Sequence, residues 1–183
     1  NAVAIDALLA PWQGVVAADS GHVSIHEAGA IEACGHKVIQ LPEKDGKLNA
    51  ADVDALATSW EQDENHDHMV MPGLVYISQP TEYGTLYSLD ELSALRATCD
   101  AHGMKLYVDG ARLAYALAAP RNNVQLSDLA RLADAFYIGG TKCGALLGEA
   151  MVFPKPSTCP HFFTLMKRRG ALLAKGMVTG IQF

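Results

Sequence analysis

The sequence predicts an α/β fold, a mostly parallel sheet flanked by helices on both faces. Three observations carry this. Short apolar runs of strand length recur along the chain, and segments rich in helix formers separate them. Residues 73–108 read as strand, helix, strand, the unit that sets neighbouring strands parallel and lays a helix across them. Half of the 183 residues are apolar, enough for a core sealed on two sides.

The elements follow in order. Residues 22–34, HVSIHEAGAIEAC, predict one helix stopped by Gly35, ahead of a strand KVIQL at 37–41. DGKLNAADVDALATSW supplies a turn and a helix with Asn49 as its N-cap. EQDENHDH at 61–68 reads as a polar, acidic loop, and GLVYIS at 73–78 as a buried strand. Ser88 and Glu91 have capping-box spacing and open a helix that runs to Gly103, after which the strand 105–108 begins. A shorter helix lies in LSDLARLADA, then a strand AFYIGG at 135–140, a turn carrying TKCG, and a last strand EAMVF at 149–153. No repeat and no linker divides the chain.

Charge and cysteine usage narrow the function. A net charge of −6 without a Lys/Arg stripe argues against a nucleic-acid surface, so a small-molecule partner is expected. No apolar run approaches the roughly 20 residues that cross a bilayer, and the opening NAVAIDALLAPWQG lacks the pattern of a signal peptide. Cys34, Cys99, Cys143 and Cys159 are widely spaced and form no C-x-x-C pair, which predicts reduced thiols and a cytoplasmic location.

Chemistry is concentrated in two places. In KLYVDGARLAYAL, Asp109 ends an apolar run, Gly110 follows it, and Arg112 sits at the start of a helical pattern. This puts a carboxylate at the C-terminal mouth of a strand, where open α/β sheets hold ligands. In YIGGTKCGALLGEAMVF, Lys142 interrupts a segment otherwise almost wholly apolar or glycine; partial desolvation there would lower its pKa and free a nucleophilic amine. An acid and an amine at two strand ends match the protein's half of pyridoxal phosphate chemistry, the lysine forming the imine and the acid pairing with the pyridinium nitrogen. The spacing fits equally a helix-capping Asp109, a loop cation Lys142 and a surface Arg112, and both readings stand at this point.

Five blocks then resemble one family in order. YVDGARLAYAL, YIGGTKCGALLGEAMVF, GHVSIHEAGAIEACGHKV, SQPTEYGTLYSLDEL and RRGALLAKGMVTGIQF are similar to the low-specificity threonine aldolase group of the β-eliminating lyase superfamily, pyridoxal-phosphate enzymes of the aspartate aminotransferase fold. The resemblance implies that Lys142 is the Schiff-base lysine, Asp109 the pyridinium partner, Arg112 a cofactor contact, and His22 the imidazole that stacks on the cofactor ring. It implies cleavage of threonine, allo-threonine or related β-hydroxy-α-amino acids to glycine and an aldehyde, in a homodimer or homotetramer. A sister lyase performing β-elimination or transamination, or an inactive core fragment of such an enzyme, is the alternative.

Two departures bear on the base. Where many relatives carry Thr-His-Asn-Gly, this chain has Thr81, Glu82, Tyr83, Gly84, so Glu82 reads either as the substrate-facing base or as a solvated loop acid; a bound water or His22 alone are the other candidates. Lys175 aligns with an arginine near the cofactor in relatives, and reads as a phosphate contact or a surface cation. The resemblance places residues 1–183 in the central part of the cofactor-binding large domain, with the phosphate-binding segment before it and the small domain after it outside the chain. No metal is expected: His22 with His26, and His66 with His68, lack further ligands at a metal-binding spacing. Cys143 is expected to be a small packing residue.

Overall fold

The computed structural model describes residues 1–183. Its centre is a six-stranded sheet of β1 (Gln13–Ala18), β2 (Val38–Leu41), β3 (Met71–Ser78), β4 (Lys105–Asp109), β5 (Ala135–Gly139) and β6 (Glu149–Val152), in the order β2-β1-β3-β4-β5-β6. All neighbouring pairs are parallel except β5 with β6, so the predicted mostly parallel sheet is present.

Alternation within the strands decides what covers each face. Val16, Val75, Ile77, Leu106 and Val108 point to one side, where α4 (Ala50–Gln62), α5 (Leu89–Ala101), α6 (Leu113–Ala118) and α7 (Leu126–Leu132) contribute Val53, Leu92, Leu95, Leu113 and Leu129. Val15, Ala17, Leu74, Tyr76 and Tyr107 point to the other, under α1 (Ala2–Leu8), α2 (His22–Ile25) and α3 (Ala30–Ala33), which bring Ile5, Leu8, Val23 and Ile31. Each fully buried Leu, Ile or Val contributes about 1.5–3 kcal/mol of transfer free energy, so both faces draw the sheet inward. Two further short helices, α8 (Phe162–Arg168) and α9 (Met177–Ile181), complete the chain. No helix is long and apolar enough to cross a membrane.

Local signals fix several ends as predicted. Asn49 accepts the Ala51 N–H at 2.9 Å, and Ser88 and Glu91 form the reciprocal capping box that starts α5. Gly103, at φ +64°, turns the chain after α5 while Met104 N–H reaches back to Cys99 O at 2.8 Å.

Other expectations are corrected. The single helix over 22–34 is two one-turn helices, α2 and α3, because Ala28 and Gly29 take left-handed φ values of +52° and +71° between them. For alanine that conformation costs about 1–2 kcal/mol, so packing imposes it against local preference. The polar stretch 61–68 is partly helical: α4 continues to Gln62, and a 3₁₀ turn spans His66–His68. β3 begins at Met71, two residues early and through Pro72. The register with β1 slips there, Gly14 facing Pro72 but Val15 facing Leu74, so Gly73 is the extra residue of a bulge that tolerates the proline. β1 itself, whose Gln13–Ala18 includes only small or β-branched apolar residues after Gln13, was not anticipated.

Candidate active site

Asp109 is the last residue of β4 and is only 3% exposed. Parallel register sets it beside Ser78, the last residue of β3, so two apolar strands end in polar groups at one edge. A buried carboxylate must be hydrogen-bonded. Three donors reach it: Ala111 N–H at 2.9 Å from Oδ1, and the Tyr76 hydroxyl and Asn1 amide at 2.5 and 2.7 Å from Oδ2. Burial first, and the Asp109 charge second, push the Tyr76 and Tyr137 hydroxyls above the ordinary phenol value, keeping both as protonated donors at neutral pH.

Two glycines bring the next strand end close. A Cβ on Gly110 would stand 1.9 Å from the Tyr137 carbonyl oxygen, and one on Gly139 would stand 2.3 Å from that of Ala111. Without side chains, the β4–α6 turn touches the end of β5, and Gly139 N–H donates to Gly110 O at 2.9 Å. The turn after β5 carries Lys142. As a result Lys142, Asp109, Arg112, His22 and Glu82, the five residues singled out in the sequence, line one cleft together with Ser78 and Tyr137.

The surroundings of each differ. Arg112 and Lys142 are exposed, so the partial desolvation expected at Lys142 is not found. The reason is local: residues 140–148 form a glycine-rich surface turn that buries little, with Leu146 83% exposed. Glu82 is half-buried and tethered, its Oε1 accepting the Ser78 hydroxyl at 2.9 Å and the His22 backbone N–H at 3.1 Å. The solvated-acid reading of Glu82 is therefore corrected. His22 Nδ1 lies 3.0 Å from Glu27 Oε1, which also accepts the Asn1 amide at 2.5 Å. These contacts close a ring: Asp109, Asn1, Glu27, His22, Glu82, Ser78, Tyr76 and back to Asp109, with Tyr76 and Ser78 oxygens 3.2 Å apart.

Several candidates stay outside. Lys175 is exposed and does not line the cleft. Cys143 is half-buried, its Sγ 3.9 Å from Ala111 O, in the packing of the turn. His66 packs at a tilt against Trp60, ring centres 4.9 Å apart, with Nδ1 2.7 Å from Asp63 O. His26 is exposed, its ring centre 5.6 Å from that of His22.

Sequence reasoning missed Asn1, Glu27, Tyr76, Ser78 and Tyr137. Period-two alternation in VYIS would have put Tyr76 and Ser78 on one face of the strand that runs beside Asp109. Glu27 follows His22 by five residues in an irregular segment, where no periodicity points to it.

The donor set of a buried carboxylate, an amine, an imidazole and a guanidinium around one cleft fits a group bearing an aldehyde, a basic ring nitrogen and an anionic substituent. The family model described as beta-eliminating lyase matches residues 1–179. The low specificity L-threonine aldolase of Pseudomonas aeruginosa is 35% identical over 178 residues, covering 96% of this chain and 50% of that protein. The structure of a threonine aldolase from Leishmania major superposes with a TM-score of 0.93 at 49% identity, covering 100% of this chain and 52% of that one. Cystalysin from Treponema denticola, whose structure contains pyridoxal 5′-phosphate, shares the fold at 15% identity with a TM-score of 0.71, covering 97% of this chain and 45% of that one. The chain spans about half the length of the curated relatives it matches in the two Pseudomonas proteins, at 50% of each.

Proposed function

The chain belongs to the beta-eliminating lyase family, and from that premise we propose that it carries the catalytic centre of a pyridoxal 5′-phosphate enzyme that cleaves threonine or allo-threonine to glycine and an aldehyde. One observation supports this most: Lys142 and Asp109, delivered by different strand ends, line a single cleft with His22 and Arg112. The 49% identity to the Leishmania major threonine aldolase favours that substrate class.

When bound, the coenzyme supplies an electron sink for a bond broken at the substrate Cα. The roles of the residues follow from their places. Lys142, exposed at the cleft, is the residue whose primary amine would hold the coenzyme through its aldehyde. Asp109, held in place by Ala111, Tyr76 and Asn1, would face the coenzyme ring nitrogen and keep a proton on it. Arg112, exposed at the start of α6, makes no side-chain capping hydrogen bond there and would donate to the coenzyme. The flat His22 ring suits stacking on an aromatic system, and its Nε2 takes the proton of the substrate β-hydroxyl. Glu82 is less suited to that step because one oxygen already accepts two donors; it holds the His22 backbone in place.

We read the enzyme as a cytoplasmic homo-oligomer acting on a small amino acid. Pyridoxal phosphate added to the full-length protein is expected to give a visible absorption band that changes on adding threonine, with acetaldehyde and glycine released in equal amounts. Pyruvate or a keto acid in place of the aldehyde would instead support elimination or transamination, and no band at all would refute the cofactor assignment.

A further inference from the structure

Glu27 belongs to no helix or strand, yet its carboxylate is held on two sides. His22 Nδ1 stands 3.0 Å from its Oε1, and the Asn1 amide donates to the same oxygen at 2.5 Å. The Glu27 side chain is 13% exposed, well shielded for a carboxylate between two short helices. The chain turns sharply just after it through the left-handed Ala28 and Gly29, an uncommon conformation for alanine. His22 Nε2 makes no hydrogen bond within the chain, and the His22 side chain, 38% exposed, faces the cleft that Asp109 and Lys142 line.

An imidazole has two nitrogens with different tasks, and the partner of one decides what the other does. A carboxylate accepts only hydrogen bonds. Beside Glu27, a neutral His22 ring is therefore held with its proton on Nδ1 and its lone pair on Nε2. We propose that Glu27 is a positioning residue that fixes this tautomer and so makes Nε2 of His22 the proton acceptor of the cleft. The catalytic consequence rests on the function proposed above; the tautomer does not. When the β-hydroxyl proton moves to Nε2, the O–H bond breaks and an N–H bond forms. No proton leaves Nδ1, and the imidazolium faces the Glu27 carboxylate. The same arrangement, an acid on Nδ1–H and a base at Nε2, is found in the Ser-His-Asp triad.

The test reads the tautomer directly. In the full-length protein with ¹⁵N-labelled histidine, long-range ¹H–¹⁵N correlation above the imidazolium titration assigns the proton to one ring nitrogen, with His22 identified by the loss of its signals in His22→Asn. The expected result is Nδ1–H in the native protein and in Glu27→Gln, whose amide oxygen still accepts, and a shift towards Nε2–H in Glu27→Ala. In kinetics, Glu27→Ala is expected to lower kcat by about 100-fold, at the low end of what general acid–base groups contribute, with KM changed less than threefold and with recovery in Glu27→Gln. Nε2–H in the native protein, or Nδ1–H retained in Glu27→Ala, would overturn the proposal even if the coenzyme band is present. Absence of the band with the Nδ1–H tautomer intact would refute the function and leave the role of Glu27 standing.

Discussion

Two histidines in this chain meet carboxylates in opposite ways. His22 gives one nitrogen to Glu27 at 3.0 Å and keeps the other without a partner at the cleft. His102, the C-cap of α5, gives both: Nδ1 is 2.7 Å from Glu61 and Nε2 2.9 Å from Asp54, both on α4. The hydrogen bond to Glu61, then that to Asp54, raise the His102 pKa above its ordinary value of 6.5, so this ring favours the charged form and pins two helices together. A histidine with both nitrogens bound is a fastener, whereas one left half-bound at a strand mouth can move a proton. The difference lies in how many carboxylates the fold presents to the ring.

Mutations can sharpen that contrast. The largest effect is expected at the carboxylate that anchors the cleft. Asp109→Asn keeps size but loses charge, and kcat is expected to fall about 1000-fold, on the scale of losing a charge-stabilising group at a reacting centre, with the coenzyme band weakened in spectroscopic titration. His22→Phe keeps a stacking ring without a proton acceptor; kcat should drop about 100-fold while the band persists. Glu82→Gln retains the acceptor for Ser78 and the His22 N–H, so a loss of less than about tenfold is expected. A Glu82→Gln loss as large as that of His22→Phe would hand the base role to Glu82.

The fastener should affect stability alone. His102→Ala is expected to lower stability by less than about 1 kcal/mol, because Asp54 and Glu61 are half exposed and water screens the pair, which corresponds to a Tm decrease of no more than about 4 °C by calorimetry. Its sign with pH follows from the raised pKa. The folded state binds the proton more tightly, so the contribution is complete below about pH 6.5 and fades as pH rises through the higher folded value. The Tm difference between native protein and His102→Ala should therefore be larger at pH 6 than at pH 9. An activity loss in this variant would break the distinction between the two histidines.

Much of this architecture was legible because it is periodic or capped. The capping box at Ser88 and Glu91, the Asn49 cap and the apolar run before Asp109 each state their structure locally. What escaped depends on distant contacts. β1 is flanked on both sides by strands later in the chain, and those neighbours complete it. The break in the predicted 22–34 helix comes from packing that forces Ala28 into a left-handed turn. The five cleft residues were all readable, but the ring that holds them was not, since Asn1 and Asp109 are 108 positions apart and meet only through the sheet. Exposure of Lys142 was missed for a related reason: apolar or glycine neighbours in sequence do not bury a residue when the turn they form lies at the surface.

The account stands on Lys142 and Asp109 serving one coenzyme. The most direct measurement is borohydride reduction of the full-length protein with pyridoxal phosphate, followed by peptide mapping by mass spectrometry. The expected result is the reduced coenzyme on the peptide containing Lys142 in the native protein, and markedly less of it in Asp109→Asn. Label on another lysine, or equal labelling in a Lys142→Ala variant, would contradict it.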